Sequence, residues 1–565
     1  MDNRTAATLV LLTLLSAGVS VADPLPLRDD ITVRRVLQIS GADIRIVHNP
    51  QDGLLYLITQ DGTISRVDLE AGTSAMVYTA ADHGINSSSG IGFAITQQGT
   101  FFVLGTSRSG TTAIARVVRG RLNADGGRDW TTLMQTEPYP LNGAANDDHA
   151  FNTLAVSPDN RFLFVANGSR TDHGEVQTNR NKYPGLRELP LSNTIFRLPV
   201  DGQDILLRND DAALAASGYV FCKGLRNNFD LAFAGNGDLF GVDNDPDRDM
   251  AEELNWLRQG HHFGFPWRMG TEDNPQRNPA YDPTTDVHLP PGFVIDRGFY
   301  RNDPDFPPPP AQLTDPVPNV GPDADRFRDE QTGEIRDASD EGITLGTFTP
   351  HRSPLGLVFD VAGALAPEFR GDGFVLNIGD AIVREFGIPF RDPDEDLLHL
   401  DLTKIGGEYQ VQVTRLVGGF RAPIDAEIVG NHIYVIEFQP PWLDEQPRSL
   451  WEIRLPASTM TAVTERTEAG TPEQFSLDYS YPNPFNPSTT IHYSLATATV
   501  VELTIYNAAG QAIRHLLQQQ QQPAGHFAAT WEGTDDGGRP LGSGVYLVRL
   551  RAGASEHTRQ LTLLK

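Results

Sequence analysis

Along residues 30–456 apolar side chains recur at every second position in short runs, and the runs come in pairs joined by tight polar turns. Six passages carry this pattern, at residues 45–69, 90–118, 151–200, 229–245, 356–380 and 424–456. Alternation with period two puts one face of a strand in a core and the other against a neighbour, so each passage predicts antiparallel β-strands. Turns such as Gln51-Asp52-Gly53, Pro158-Asp159-Asn160 and Gly235-Asn236-Gly237 supply the polar, flexible residues that short hairpins need. No single small sheet can hide both of its faces, so the units must stack on one another. Irregularly spaced repeats of this kind predict an all-β fold, a six-bladed β-propeller over residues 23–456.

Two stretches break the rhythm. Residues 267–345 are rich in Pro and Asp, with the run Pro307 to Pro310, and predict a long rim insertion or lid rather than a domain of its own. Residues 457–474 are polar, rich in Thr and Glu, and predict a linker. Alternation resumes in 475–565, at Thr490–Leu495, Val501–Tyr506 and Gly544–Leu550, which predicts a small Ig-like β-sandwich of about seven strands. The tract Gln518 to Gln522 reads as a solvated loop between strands. At the other end Arg4, the apolar run Ala6 to Leu15 and small residues up to Ala22 have the layout of a secretory signal peptide over residues 1–22. No later segment reaches the ~18 uninterrupted apolar residues of a membrane span.

Charge narrows the partners. With 45 Lys and Arg against 73 Asp and Glu the formal net charge is −28, which repels nucleic acid and anionic lipid. The same oxygen-rich loops are potential calcium ligands. One cysteine, Cys222, excludes an internal disulfide and a thiolate metal site.

Residues 475–565 carry, in order, YPNPFNPST, YNAAGQAI, a W-x-G-x-D segment, GVYLVRL and a terminal LTLLK. This region resembles the flagellar hook-capping Ig-like and type IX (Por) secretion C-terminal sorting family. The resemblance implies passage through the outer membrane by the type IX machinery, followed by release or surface attachment.

Three constellations stand out in the propeller: Asn146-Asp147-Asp148-His149 ahead of a hairpin, the long segment 224–267 (GLRNNFDLAFAGNGDLFGVDNDPDRDMAEELNWLRQGHHFGFPW), and His351 in HRSPLGLVFD. Together they resemble the soluble glucose/L-sorbosone dehydrogenase family, whose cofactor is pyrroloquinoline quinone with calcium. The resemblance implies His149 as the base that takes an alcohol proton, a task suited to an imidazole, oriented by Asp148 beside the cofactor. It implies Arg226 as the cation that stabilises developing charge and Asn227 and Arg421 as cofactor contacts. Calcium would be held by the loop Asn244-Asp245-Pro246, with a second, structural ion near Glu252 or Glu253. His351 falls on the family's rim. His261-His262 has no third ligand in the sequence and reads as structural.

Several positions depart from the family pattern. Ser88 and Ser89 stand where a cofactor-contacting Gln is often found, Asp245 replaces a Gly, and the segment GFRAPID keeps Arg421 but has no second Arg before Asp425. The blade-five segment NIGDAIVR lacks the family's basic residue. The leading expectation is an exported dehydrogenase that oxidises sugars, polyols or aldehydes and passes electrons to an extracytoplasmic acceptor. A non-catalytic calcium-binding propeller that binds carbohydrate or a surface partner, and a metal-dependent lactonase, are the alternatives.

Overall fold

The computed structural model describes residues 23–565 except 88, 111, 141–148, 177–186, 290–299, 380–389, 391, 393–394, 440–446, 458–462, 467–474, 487, 536–538, 540, 554 and 565. Six sheets make the propeller, and each begins with an inner strand: Asp43–Asn49, Ser89–Ile95, Phe151–Val156, Asn228–Phe233, Pro354–Phe359 and Pro423–Val429 for blades I to VI. Each inner strand packs beside the next, and the last packs beside the first, which closes the ring. The sixth blade is completed by the chain's own start: Thr32–Ile39 pairs antiparallel with Arg448–Arg454. The six blades are the six passages read from the alternation.

Apolar faces of neighbouring blades supply the core. Leu154, Leu163 and Phe196 of blade III meet Phe102, Leu104 and Val117 of blade II, all buried. Among the described residues the α-helices are short (Ala80–His83 and Asp211–Ser217), and none is long and apolar enough to cross a membrane.

All inner strands run in one direction. Their later halves line a single cavity of about 420 Å³ at the base of the propeller, to which Val47, Ile95, Val156, Phe233, Phe359 and Ile428 each contribute from one blade. Their first residues therefore share the opposite end, the mouth. First-to-second-strand hairpins lie at the base and are tight in five blades, whereas the second-to-third connections at the mouth run long in blades III to VI. Residues free to vary in shape and chemistry thus collect at the mouth.

The inner edges of the blades face the channel with unpaired backbone groups, and side chains satisfy them. Asp425 accepts from the Ile46 amide at 2.8 Å, Glu427 from His48 at 2.9 Å, and Asp230 from Leu357 at 2.8 Å. Arg45 crosses the channel from blade I and donates to the carbonyls of Asn152 (2.9 Å) and Phe229 (2.8 Å) in blades III and IV. Its other nitrogen lies 3.6 Å from Asp425 of blade VI, and its guanidinium covers the Phe229 ring.

Residues of the 267–345 stretch are tied to blades IV and V. Buried Arg248, in the mouth connection of blade IV, binds Asp286, Glu272 and His288, and Arg328 binds Asp249 at 2.6 Å. The segment Asn319–Pro322 adds itself parallel to the Glu408–Gly418 strand of blade V.

The C-terminal region is a sandwich of two four-stranded sheets around buried Tyr493, Leu503, Phe527, Trp531, Val548 and Leu561. Two expectations change here. Val463–Arg466, inside the expected linker, is an edge strand paired with Gly525–Trp531. The glutamine tract is the end of the strand Ala512–Gln522, where buried Gln522 accepts from Tyr493 Oη at 2.9 Å. Glutamine serves in a strand when its amide finds a partner, a condition invisible in composition.

Arg45→Met leaves Asp425 buried without its cation and two carbonyls without a donor, and is expected to cost about 3–5 kcal/mol in denaturant unfolding. Burial pushes the Glu427 carboxyl up to about 7 from 4.5. The folded chain therefore keeps a proton that the unfolded chain has released. This contribution is complete below pH ~4.5 and is lost as pH rises through ~7. Glu427→Gln is expected to flatten the melting-temperature profile across that window, read by calorimetry at a series of pH values.

Candidate functional site at the propeller mouth

The residues just ahead of the inner strands converge on the mouth: His149 in blade III, Arg226 and Asn227 in blade IV, His351 to Ser353 in blade V and Arg421 in blade VI. His351 (φ 65°), Ser353 (φ 49°) and Ala422 (φ 50°) are held in left-handed backbone there. Such strain persists only where surrounding contacts impose it, and it gathers at binding sites.

His149 is half-buried and fixed by its surroundings. Its amide donates to the Ser169 carbonyl at 2.9 Å, its Nδ1 lies 3.1 Å from Ser169 Oγ, and the Arg170 guanidinium bonds its carbonyl. Desolvation, reinforced by the Arg226 and Arg170 charges, pulls its pKa well below the ordinary 6.5. A neutral imidazole at physiological pH is the form that can take a proton. Its expected partner Asp148 lies outside the described residues. Gly168 lies against His149 and Arg226: a Cβ there would come within 2.5 Å of His149 Cβ and 2.8 Å of the Arg226 carbonyl.

Asp243, fully buried at the end of its strand, accepts the amides of Arg226 (2.8 Å) and Asn227 (2.5 Å) and so sets the turn that presents both. Burial raises its own carboxyl to about 7. The Asn227 amide bonds Asn244 Oδ1 at 2.8 Å and receives Asn152 Nδ2 at 3.3 Å, which couples blades III and IV. The Arg226 guanidinium is committed: Nη2 meets Asp172 Oδ1 at 2.7 Å, Nε donates to the Asp172 carbonyl at 2.7 Å, and Nη1 reaches the Asn244 carbonyl at 3.3 Å. Asp172 Oδ2 also binds His173 Nδ1 (2.8 Å) and Tyr300 Oη (3.1 Å), and the His173 and Tyr300 rings stack at 3.7 Å. Tyr300 belongs to the insertion, so the rim closes over this pair.

The residues expected to bind calcium divide. Glu252 and Glu253 are neighbours on one strand, so their side chains take opposite faces. Glu253 stands across from Asp243 in register and accepts Gly270 N (2.6 Å) and Asn255 Nδ2 (2.7 Å). Glu252 lies instead with Asp245. Burial and the nearby Asp245 charge hold the Glu252 carboxyl well above its usual range. Asp245 Oδ2 pairs with His351 Nδ1, while among the described residues neither buried Glu252 oxygen has a well-aligned donor. His351 stands beside them, Nδ1 at 3.2 Å from Asp245 and Nε2 at 2.8 Å from Asp249. Burial alone would lower its pKa, but these carboxylates outweigh it and hold the imidazole well above 6.5. Among the described residues no group of three or more His, Cys, Asp or Glu side chains is arranged to hold a metal ion. Pro246 lines a small enclosed space with His173 and Tyr300.

Arg421 is half-buried, its amide on Glu437 Oε1 at 2.9 Å. His262 is packed against Gly224 and Trp267, and burial lowers its pKa to about 4, in keeping with a structural role. Sequence reading overlooked Ser169, Arg170, Asp172, His173 and Tyr300. The dipeptide Asp172-His173 repeats the Asp148-His149 signal one connection later and was findable; Tyr300 joins only through the fold.

The sequence model of the Glucose / Sorbosone dehydrogenase family matches residues 92–291, and that of the FlgD Ig-like domain matches residues 487–556. No curated protein sequence matches the chain. Similar solved structures include the pyrroloquinoline quinone-bound aldose sugar dehydrogenase of Streptomyces coelicolor, at 16% identity over 76% of this chain and 99% of that one, TM-score 0.44. The apo soluble aldose sugar dehydrogenase of Escherichia coli is 14% identical over 75% and 99%, TM-score 0.47. The holo quinone domain of pyranose dehydrogenase from Coprinopsis cinerea is 13% identical over 76% and 97%, TM-score 0.45.

Gly168→Ala is expected to force His149 and Arg226 apart, lowering stability by about 1–3 kcal/mol in thermal melting. The His149 ring resonances should shift in the same variant.

Proposed function

We propose that the chain is an exported quinone-dependent dehydrogenase that oxidises sugars or related polyols and aldehydes at the propeller mouth. The observation that carries this reading is His149, a neutral imidazole whose Nε2 has no partner among the described residues, held beside Arg226 and Asn227 within the segment matched by the dehydrogenase family. A base needs such a free lone pair, and an alkoxide forming next to it needs a nearby cation.

Calcium would be held by the Glu252 oxygens, which have no well-aligned donor among the described residues, together with Asp245, which already faces His351, since hard cations take buried carboxylates. Main-chain carbonyls of the 244–246 loop and water would complete its shell. Pyrroloquinoline quinone, when bound, would accept the hydride from the substrate carbon. His149 takes the hydroxyl proton on Nε2, Arg226 steadies the negative oxygen, and Asp172 keeps the guanidinium in place.

The charge balance makes metal and quinone interdependent. Arg226, His351 and Arg352 each already hold a carboxylate: Asp172; Asp245 and Asp249; and Asp392 and Asp396. A trianionic quinone therefore meets few uncommitted charges until a divalent cation offsets Asp245 and Glu252. The same observation favours a second reading, a calcium-binding propeller that holds carbohydrate without turnover. Residues 1–22 as a signal peptide and 475–565 as a type IX sorting domain would deliver the protein to the cell exterior, where an extracytoplasmic acceptor takes the electrons.

Calcium is expected to raise the melting temperature, and Glu252→Gln to abolish that rise. Quinone absorbance should titrate stoichiometrically only with calcium present, with dye reduction on an aldose and polyol panel lost in His149→Ala. A calcium-stabilised protein that binds no quinone would leave the second reading standing.

A further inference from the structure

The ring of His149 touches one described side chain, and that side chain is a hydroxyl rather than a carboxylate. Ser169 is fully buried, 0% exposed. Its Oγ lies 2.8 Å from the Thr171 carbonyl and 3.1 Å from His149 Nδ1. A serine hydroxyl has one hydrogen, and a carbonyl oxygen can only accept, so the hydrogen goes to Thr171 and Oγ is left to accept. The proton between Ser169 and His149 must then sit on Nδ1.

The turn that holds Ser169 is built to keep that direction. Glu188, half-buried beside it, accepts the amides of Arg170 (2.9 Å) and Thr171 (3.0 Å), the Thr171 hydroxyl (2.5 Å) and the Ser192 hydroxyl (2.6 Å). With the turn fixed, the Thr171 carbonyl has no freedom to leave Ser169. The His149 main chain is pinned to the same turn through its amide, and the Ser169 amide is pinned to the Arg226 carbonyl at 2.7 Å. Backbone and ring are therefore positioned by one element.

We propose that Ser169 is the positioning residue of the site, fixing His149 as its Nδ1-protonated tautomer with the Nε2 lone pair turned to the mouth. This rests on the reading of His149 as the base. A neutral orienting group differs from a carboxylate in one respect that matters: it directs the ring without stabilising the imidazolium. Among the described residues the charges around His149 are Arg170 and Arg226, with Asp172 engaged by Arg226 and His173, and with burial they favour the neutral ring.

The test is the tautomer itself, read in the purified chain without quinone or metal. Long-range proton–nitrogen correlation spectra of 15N-histidine-labelled protein, with His149 assigned by its absence in His149→Gln, should give a protonated Nδ1. Ser169→Ala should redistribute the proton toward Nε2, and Ser169→Thr, which keeps the hydroxyl, should restore the original form. A wild-type His149 protonated at Nε2 overturns the proposal whatever the variants do, as does an unchanged tautomer in a folded Ser169→Ala. In the loaded protein Ser169→Ala should lower kcat about ten- to a hundredfold with KM little changed. If the wild type turns over no sugar, the dehydrogenase reading falls while the tautomer assignment is still decided by the spectra.

Discussion

A ring of blades leaves the inner edge of every sheet unpaired, and those backbone groups must find partners inside the channel. Here charged side chains provide them. Asp425 and Glu427 reach from blade VI to amides of blade I, Asp230 from blade IV to blade V, and Arg45 from blade I to carbonyls of blades III and IV. Buried ionisable groups are costly unless each is bonded, so these side chains tie the inner strands of blades I, III, IV, V and VI to one another. Everything at the mouth hangs from the first residues of those strands. The geometry of His149, Arg226, His351 and Arg421 is inherited from the channel below.

The mouth itself is an acidic basin whose positive charges are spoken for. Asp172 holds Arg226, and Asp245 with Asp249 holds His351. Among the described residues, what stands out against this balance is the buried Glu252 carboxyl beside Asp245 and one His149 nitrogen without a partner. The rim insertion adds Tyr300 and the Arg248 ion pairs, which tie the wall to the floor.

Much of the architecture was legible because it is local. Period-two alternation and tight polar turns marked all six blades. Legibility failed where a residue's role depends on a distant partner. The glutamine tract looked solvated, yet Gln522 is buried against Tyr493; the polar stretch around 463–466 looked like linker, yet it pairs with Gly525–Trp531. In the site, Asp148-His149 drew attention by its motif, whereas Ser169, 20 residues further on, is the described side chain that touches the ring.

The amino-acid sequence by itself determined the strand pattern, the number of blades, the acidic character and the short list of residues with useful chemistry, because each follows from neighbouring positions along the chain. Tertiary structure alone decided that Thr32–Ile39 closes the last blade, that Glu252 joins Asp245 while Glu253 turns away, and that a buried serine orients His149. Those outcomes depend on which backbone groups are left unpaired when the ring closes, and on which side chains are near enough to answer them.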